Sequence, residues 1–246
     1  MSGVLPEGSD IVIAVRDLWK IFRLGKTAVR ALNGVSFDVL RGEFLAIVGT
    51  SGSGKSTLLN MLAGLEAPTK GKVFIHQRDI TRMDEQQLVG FRKEHIGFIF
   101  QSFNLIASQT AEENVELPLV FRGERKSLRK RKARRMLHFV GLEKRLRNRP
   151  YEMSGGEQQR VGIARALVVQ PEIVFADEPT GNLDSRTTDE ILRLLQRISK
   201  EQNQTLVMVT HDNNLAQYAD RIFRIVDGRI VAIEEGQKRM DRQLLN

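Results

Sequence analysis

The stretch GTSGSGKST at residues 49–57 combines glycines, one lysine and several hydroxyl groups at the spacing of a phosphate-binding loop. Its glycines would let backbone N–H groups curl around phosphate oxygens, and a helix predicted from Ser56 to Leu62 adds the partial positive charge of its N-terminus. Lys55 is expected to reach the outer phosphates and Ser56 to hold Mg²⁺. The alternative is a Gly/Ser loop that only turns a corner, which the preceding strand, the lysine and the serine together disfavour. The residues assigned to phosphate binding are Gly49, Thr50, Ser51, Gly52, Ser53, Gly54, Lys55, Ser56 and Thr57.

Two carboxylates follow a second apolar run, in IVFADEP at residues 173–179. Asp177 would stand at the carboxyl end of a parallel strand, the edge where open α/β sheets bind ligands. We expect Asp177 to serve the Mg²⁺ ion and Glu178 to polarise an attacking water as general base. An Asp-Glu pair alone is more often a helix cap or a solvated turn. The phosphate-binding loop upstream is what favours chemistry here.

Two more polar side chains are expected at the same edge of the sheet. Gln101 follows the apolar run 96–100, so its amide could sense Mg²⁺ or water, and His211 follows the run 206–210. A lone histidine is usually structural, and both interpretations of His211 stay open at this point. The other histidines, His76, His95 and His138, lack such a setting and are assigned no role.

A second anion-binding site is predicted at SGGEQQR, residues 154–160. Ser154 and Glu157 have the spacing of a capping box, so a helix should begin there. Gly155 and Gly156 in its first turn would let an anion approach the backbone N–H groups closely. An ordinary capped helix is the alternative.

The elements that must position these residues follow from the hydrophobic pattern. Residues 11–39 alternate between apolar and polar side chains, which predicts antiparallel strands with one wet face. From residue 44 to 48 the run is unbroken, which predicts a buried parallel strand, and similar runs recur at 96–100, 173–176 and 206–209. This spacing predicts a mainly parallel α/β core. Residues 101–171 are typical of helices, one of which has an apolar face formed by Ala133, Met136, Leu137 and Val140.

Composition limits the possible classes of protein. The 246 residues are 41% apolar, enough for one large domain or two small ones, and no apolar run approaches the roughly 18 residues of a membrane helix. The opening MSGVLPEGSD lacks the features of a signal peptide, so a cytoplasmic protein is expected. The absence of cysteine excludes disulfides, thiolate nucleophiles and cysteine-ligated metals.

The formal charge of +8 is concentrated in one segment. Residues 122–149 hold thirteen Lys or Arg and two Glu, so the rest of the chain is net acidic. The densest part, residues 122–135, could be a solvated helix face, a surface that contacts anionic lipid, or a contact for nucleic acid.

These motifs together resemble the nucleotide-binding domain of ATP-binding cassette (ABC) proteins. GTSGSGKST, Gln101, SGGEQQR, IVFADEP, GNLD at 181–184 and His211 occur in that family's order and approximate spacing over nearly the whole chain. The resemblance implies that SGGEQQR is the signature motif, whose helix N-terminus binds the γ-phosphate of ATP held by a second copy. Two chains would sandwich two nucleotides head to tail.

The resemblance also assigns further site residues. Phe22 matches the aromatic that stacks on adenine, although a core phenylalanine on an edge strand is the alternative. Gln101 matches the Q-loop, Asp184 the D-loop aspartate at the dimer seam, and His211 the switch histidine that contacts the γ-phosphate. No Asn-Lys-x-Asp tetrapeptide is present, so ATP is expected in preference to GTP.

The chain departs from the commonest form of the family at two motifs. Met153 and Glu157 replace Leu and Gln in the signature, and Gly181-Asn182 replaces Ser-Ala before the D-loop. These features and TAEENVELPL at 110–119 are similar to the macrolide-exporting, lipoprotein-releasing and antimicrobial-peptide-resistance transporters.

We therefore expect a single α/β domain of the P-loop type. It should have a RecA-like core at about 1–101 and 161–246, an N-terminal antiparallel β portion and an inserted helical subdomain at about 102–160. The predicted function is that of the ATPase subunit of an ABC transporter at the cytoplasmic face of the inner membrane. A separate permease would carry out export, lipoprotein release or periplasmic mechanical work. The alternative is a soluble ABC ATPase acting on nucleic acid or ribosomes, which the single cassette, the absence of long heptad stretches and the lack of cysteine disfavour.

Overall fold

The computed structural model describes residues 10–25 and 27–238. Residues 1–9 of the opening stretch and residues 239–246 at the end of the predicted core lie outside the described range. The strands are β1 (Ile11–Leu24), β2 (Thr27–Leu40), β3 (Phe44–Val48), β4 (Lys70–Ile75), β5 (Arg78–Asp79), β6 (Ile96–Phe100), β7 (Ile173–Asp177), β8 (Thr205–Thr210), β9 (Arg221–Val226) and β10 (Arg229–Glu235). The α-helices are α1 (Lys55–Leu62), α2 (Glu85–His95), α3 (Ala111–Phe121), α4 (Lys126–Phe139), α5 (Gly155–Leu167), α6 (Ser185–Glu201) and α7 (Asn213–Ala216).

The N-terminal strands form an antiparallel sheet in the order β2-β1-β4-β5. Along β2, Val35, Phe37 and Val39 are buried, while the residues between them are exposed or half-buried. This alternation buries one face of the strand and leaves the other to solvent. The predicted antiparallel portion is confirmed.

The second sheet has six strands in the order β10-β9-β3-β8-β7-β6. All neighbours in it are parallel except the β9–β10 hairpin. Every residue of β3 and β8 is buried, because both faces of the sheet are covered. The four predicted strands are therefore confirmed as parts of the parallel core, although β6, at the edge of the sheet, is only partly buried.

Successive residues of β3 supply two separate hydrophobic clusters. Leu45 and Ile47 point into a cluster shared with the antiparallel sheet and α1. Phe44, Ala46 and Val48 point into the other cluster, which contains the buried faces of α3, α4, α5 and α6. The sheet is thus fixed from both sides, which gives its edges a rigid support.

The register of the parallel strands brings the carboxyl ends of four strands to one edge of the sheet. Val48 pairs with Thr210, and Asp177 pairs with Val209 on one side and Phe100 on the other. The loops that follow β3, β6, β7 and β8 therefore leave the sheet together, and each of them carries predicted site residues.

The segment between β6 and β7 is helical, as predicted. Ala133, Leu137 and Val140 are buried, and Met136 packs against the same cluster. The predicted subdomain boundary near residue 160 falls inside α5, which contacts both α3 and β6. The exact division into core and subdomain therefore stays a prediction. No helix in the described part of the chain combines the length and apolarity needed to cross a membrane.

Candidate active site

The loop between β3 and α1 is packed too closely for most side chains at two of its glycines. A Cβ atom at Gly49 would collide with the carbonyl oxygen of Ile225 on β9, and one at Gly54 with that of Ala31 on β2. Gly54 also has a φ of 100°, in the region that favours glycine. The loop is therefore held between the two sheets, and Gly54 is the N-cap of α1, which receives no side-chain cap from the described residues.

The side chain of Lys55 folds back onto the loop that precedes α1. This side chain is buried, and Nζ donates a hydrogen bond to the carbonyl oxygen of Thr50 at 2.8 Å. Burial lowers the pKa of Lys55, while the nearby carboxylates of Glu178 and Asp177 act in the opposite direction. Ser53 Oγ is buried without a hydrogen-bond partner among the described residues.

These features fit a bound triphosphate. The loop presents a lysine and the uncapped start of a helix to a cavity of about 710 Å³. The cavity is lined by Val29, Ala31, Thr50, Ser51, Gly52, Gly54, Lys55, Ser56, Thr57, Glu178 and His211. Seven of the nine predicted phosphate-binding residues, all except Gly49 and Ser53, thus line one cavity with Glu178 and His211.

Asp177 ends β7 and is half-buried. Burial raises its pKa, the neighbouring charge of Glu178 raises it further, and the Lys55 ammonium and the Ser56 hydroxyl lower it. Its ionised form is thus less favourable than that of an aspartate in water, and added positive charge would stabilise it. This is the environment expected for a carboxylate that serves a divalent cation, and Ser56 next to it offers a neutral oxygen ligand.

Glu178 is held by its backbone as well as by its side chain. Its φ of 43° is left-handed, which is uncommon for glutamate. The N–H of Glu178 donates to the carbonyl oxygen of Val209, and its own carbonyl accepts from the N–H of Gly181, both at 3.0 Å. Oε1 of Glu178 lies 2.9 Å from Nδ1 of His211. The base predicted from sequence is therefore fixed beside the predicted histidine.

Gln101 leaves β6 beside the loop that follows Glu178. Its carbonyl oxygen accepts a hydrogen bond from Asn182 Nδ2 at 3.1 Å, and its side-chain amide lies against Gly181. Among the described residues, Gln101 does not line the cavity of about 710 Å³ formed at the phosphate-binding loop. Its proposed contact with Mg²⁺ or water stays a prediction.

The capping box at the start of α5 is confirmed. Ser154 Oγ accepts from the N–H of Glu157, and Glu157 Oε2 accepts from the N–H of Ser154 at 2.9 Å. A Cβ at Gly156 would collide with the side chain of Thr187, so this glycine also serves the packing of α5 against α6. Among the described residues, none of 154–157 lines the cavity of about 710 Å³. One chain therefore does not bring its two predicted anion sites together.

Asp184 is the N-cap of α6. Its side chain accepts hydrogen bonds from the N–H groups of Arg186 and Thr187, and Thr187 Oγ1 donates to it at 2.6 Å. The bonds from Thr187 lower the pKa of Asp184. A role at a dimer seam stays a prediction beside this structural one.

Phe22 is half-buried on β1, where it pairs with Val29 of the cavity lining. Lys20 Nζ lies 5.1 Å from the centroid of its ring. Phe22 itself is not among the described residues that line the cavity, so adenine stacking stays a prediction.

Sequence reasoning missed Gln159. This residue is fully buried on α5, and its Nε2 donates to the carbonyl oxygen of Pro179 at 2.6 Å, next to Glu178. The sequence carries a signal for its burial, because Gln159 stands one helical turn before Ile163, on the apolar face of the predicted helix.

The geometry at this sheet edge is that of a P-loop nucleoside triphosphatase. A glycine-rich loop joins a buried parallel strand to a helix that begins with lysine and serine. The carboxylates that such enzymes use for the cation and the water stand on the same edge.

Comparison with known proteins identifies the class more closely. Residues 32–181 match the family model described as ABC transporter. The chain is 47% identical over 221 residues to the lipoprotein-releasing system ATP-binding protein LolD of Geobacter metallireducens, covering 90% of this chain and 98% of that protein. It is 44% identical over 230 residues to the macrolide export ATP-binding/permease protein MacB of a Shewanella strain, covering 94% of this chain but only 35% of that longer protein.

A solved structure agrees with these relatives. The ATP-binding cassette MJ0796, in a dimeric post-hydrolysis state bound to ADP and phosphate, superimposes with a TM-score of 0.83 at 40% identity. The match covers 93% of this chain and all of that one. The chain belongs to the ABC transporter family, among its ATP-binding and ATP-hydrolysing subunits. The predicted family, fold and ATPase activity are confirmed.

Proposed function

We propose that two copies of this chain close head to tail around two ATP molecules, each completing the other's site. The observation that carries the proposal is that the N-terminus of α5 lies outside the lining of its own chain's cavity, as far as the described residues go. That helix start has a capped first turn with two glycines and an exposed Ser154, so its N–H groups can receive an anion from outside. The dimeric state of MJ0796 supports this arrangement.

Each group on the sheet edge has a separate task in hydrolysis. Lys55 and the N–H groups of residues 49–57 hold the phosphate oxygens, while Ser56, Asp177 and Gln101 hold Mg²⁺, which neutralises phosphate charge when bound. Glu178 accepts a proton from the attacking water at its carboxylate. His211 keeps that carboxylate in place through Nδ1. Its other ring nitrogen would contact the γ-phosphate when ATP is bound.

The remaining site residues act at the edges of this centre. Phe22 stacks on the adenine ring, and Asp184 meets the second copy at the seam. Ser154, Gly155, Gly156 and Glu157 of each copy form the anion site for the nucleotide held by the other.

The transport side of the function requires a separate membrane permease. We propose that ATP-driven closure of the dimer drives such a permease from the cytoplasmic face of the inner membrane. The relatives named for macrolide export and lipoprotein release support export or lipoprotein release as the outcome. Periplasmic mechanical work is the third proposed outcome. From the same relatives we propose that the chain is bound peripherally at this membrane face.

The basic segment 122–135 contributes to membrane attachment through only some of its charges. Arg129, Lys132 and Arg134 pair with Glu116, Glu124 and Glu112, and Arg122 binds main-chain carbonyl groups of Lys93, Glu94 and Val169. Arg125, Lys126, Lys130, Arg131 and Arg135 have no ion pair with any described residue. We propose that this second group faces anionic lipid headgroups beside the permease.

A complementation experiment tests the composite site. Lys55→Ala removes the phosphate-binding group, and Ser154→Arg blocks the anion site of α5, so each variant should be inactive alone. A mixed dimer contains one site with an intact loop and an intact helix, and mixing the two should restore ATP hydrolysis. A mixture that stays inactive, and that forms no ATP-dependent dimer, contradicts a site shared between chains.

The partner is tested by purification. A tagged chain recovered from detergent-solubilised membranes should bring a membrane permease with it. Recovery with nucleic acid or ribosomes, and without a membrane protein, would favour the alternative class of soluble ABC ATPase.

A further inference from the structure

Gly181 lies directly against the side chain of Gln101. A Cβ atom added at position 181 would come within 2.6 Å of Gln101 Nε2, 3.1 Å of Cδ and 3.3 Å of Cγ. These are the three nearest atoms, and all belong to Gln101. The position of the Gln101 amide therefore depends on the absence of a side chain at residue 181.

The backbone of Gly181 does not itself require glycine. Its φ lies outside the left-handed region, unlike that of Gly52 or Gly54 in the phosphate-binding loop. An alanine could adopt this conformation without backbone strain. The glycine is thus explained by close approach of Gln101 and not by a turn.

Asn182 holds the main chain of the same residue. Its Nδ2 donates to the carbonyl oxygen of Gln101 at 3.1 Å, across 81 positions of sequence. The N–H of Gly181 donates in turn to the carbonyl oxygen of Glu178 at 3.0 Å. A short series of contacts therefore connects the loop after β6 with the backbone of the residue proposed as general base.

We propose that Gly181 and Asn182 are positioning residues that fix Gln101 relative to Glu178. The inference rests on the proposed role of Gln101 at Mg²⁺ or the attacking water. Gly181 leaves the space that the side chain of Gln101 occupies, Asn182 holds its main chain, and the loops after β6 and β7 are thereby connected. In this chain, serine at position 181 would displace the Gln101 amide from the place it occupies, and alanine at position 182 would remove the donor to its main chain.

A double-mutant cycle tests the side-chain half of the proposal. Gly181→Ala alone should raise the Mg²⁺ concentration that gives half-maximal ATP hydrolysis by about fivefold or more, the coupling usual for residues in contact. In a Gln101→Ala background the three atoms that the new methyl group would meet are gone. Gly181→Ala should then cause less than about a twofold further change. Gly90→Ala is the matched control, since a Cβ there meets no other described atom within 4 Å.

Asn182→Asp tests the main-chain half, because it keeps the shape of the side chain but replaces the donor with an acceptor. It should shift the Mg²⁺ dependence in the same direction as Gly181→Ala, with the thermal midpoint of the nucleotide-free chain nearly unchanged. A shift of the midpoint without a change in Mg²⁺ dependence would show a purely structural contact and overturn the proposal.

The cycle separates two kinds of failure. If Gln101→Ala by itself leaves the Mg²⁺ dependence unchanged, the proposed role of Gln101 is wrong and the positioning proposal falls with it. If Gln101→Ala changes that dependence but Gly181→Ala has the same effect in both backgrounds, Gly181 does not act through Gln101, and only the positioning proposal is rejected.

Discussion

Nδ1 of His211 lies 2.9 Å from Oε1 of Glu178, so the two polar residues that follow neighbouring strands β8 and β7 are in direct contact. The backbone of Glu178 is bonded to Val209 and Gly181, and this contact fixes the remaining freedom of its side chain. An imidazole in this position can hold one oxygen of the carboxylate and leave the other oxygen able to accept a proton.

Glu178→Gln should retain ATP binding and lose nearly all turnover, by about 100-fold or more, because the amide cannot accept the proton of the water. Hydrolysis stops while the phosphate-binding loop remains intact, so the ATP-bound dimer should accumulate. Light scattering after gel filtration with ATP measures the dimer, and phosphate release measures turnover. Wild-type turnover in this variant would remove Glu178 from the role of base.

Asp177→Asn should stabilise the nucleotide-free chain at neutral pH while impairing Mg²⁺-dependent hydrolysis. The pKa of Asp177 is raised by burial and by Glu178, so its charged form is less favourable in the folded state than in the unfolded state. The favourable contribution of the protonated group is complete below the unfolded pKa and is lost as the pH rises through the folded pKa. The excess thermal midpoint of the variant should therefore grow with pH over that interval.

Asp227→Asn is the matched control for Asp177, since Asp227 is an exposed residue of the β9–β10 turn. It should give no comparable growth of the midpoint with pH. A midpoint of Asp177→Asn equal to or below that of the wild type at neutral pH would contradict the assigned environment of this carboxylate.

Ser154→Arg should leave nucleotide binding by the single chain intact and prevent dimer closure, because Ser154 lies outside the lining of its own cavity. Loss of the Ser154 cap should itself lower the free energy of unfolding by about 1 kcal/mol, whether or not the dimer closes. Thr110→Arg is the control, since Thr110 and Glu113 form the same capping box at the start of α3. If both variants dimerise equally well with ATP in the Glu178→Gln background, the anion site of α5 is not part of the seam.

Gln159→Leu should lower the free energy of unfolding by about 1–3 kcal/mol, because the carbonyl group of Pro179 loses its buried donor. It should also slow turnover, since Pro179 is bonded directly to Glu178. Denaturant unfolding and the rate at saturating ATP provide the two measurements. Gln158→Leu removes a bond to Met153 from the neighbouring, less buried position and should cost less.

Charge reversal at Lys126, Arg131 and Arg135 should weaken binding to anionic vesicles by about 100-fold, at on the order of 1 kcal/mol for each cation near the surface. Their side chains make no ion pair with the described residues, so the thermal midpoint should change little. Replacing the paired residues Arg129, Lys132 and Arg134 with Gln should lower the thermal midpoint, because Glu116, Glu124 and Glu112 lose their partners. It should change vesicle binding little. Equal vesicle binding by both sets would exclude a lipid-facing role.

The parts of the fold that sequence predicted are those set by local pattern. Unbroken apolar runs identified β3, β6, β7 and β8, and their parallel arrangement then placed Asp177, Glu178, His211 and Gln101 on one edge. The box of Ser154 and Glu157 was equally local, because both partners lie in one helical turn.

The contacts that sequence could not predict join segments distant along the chain. The pairing of Arg129 with Glu116 depends on the register of α4 against α3, which charge density alone does not reveal. His76 and His95, to which no role was assigned, share the carboxylate of Glu172 between the two sheets. The contact of Gly181 with Gln101 depends on side-chain direction at the ends of two strands. Each requires the three-dimensional arrangement that the local patterns only begin to define.

The left-handed backbone of Glu178 has a consequence for which residues could replace it. Asparagine, aspartate and glycine adopt this conformation more readily than glutamate, so several substitutions would relieve local strain. A shorter aspartate would not reach the position that the longer side chain occupies beside His211. Variants that fold more comfortably at this residue are therefore expected to be poorer catalysts, and selection for thermal stability alone would drive the chain away from its activity.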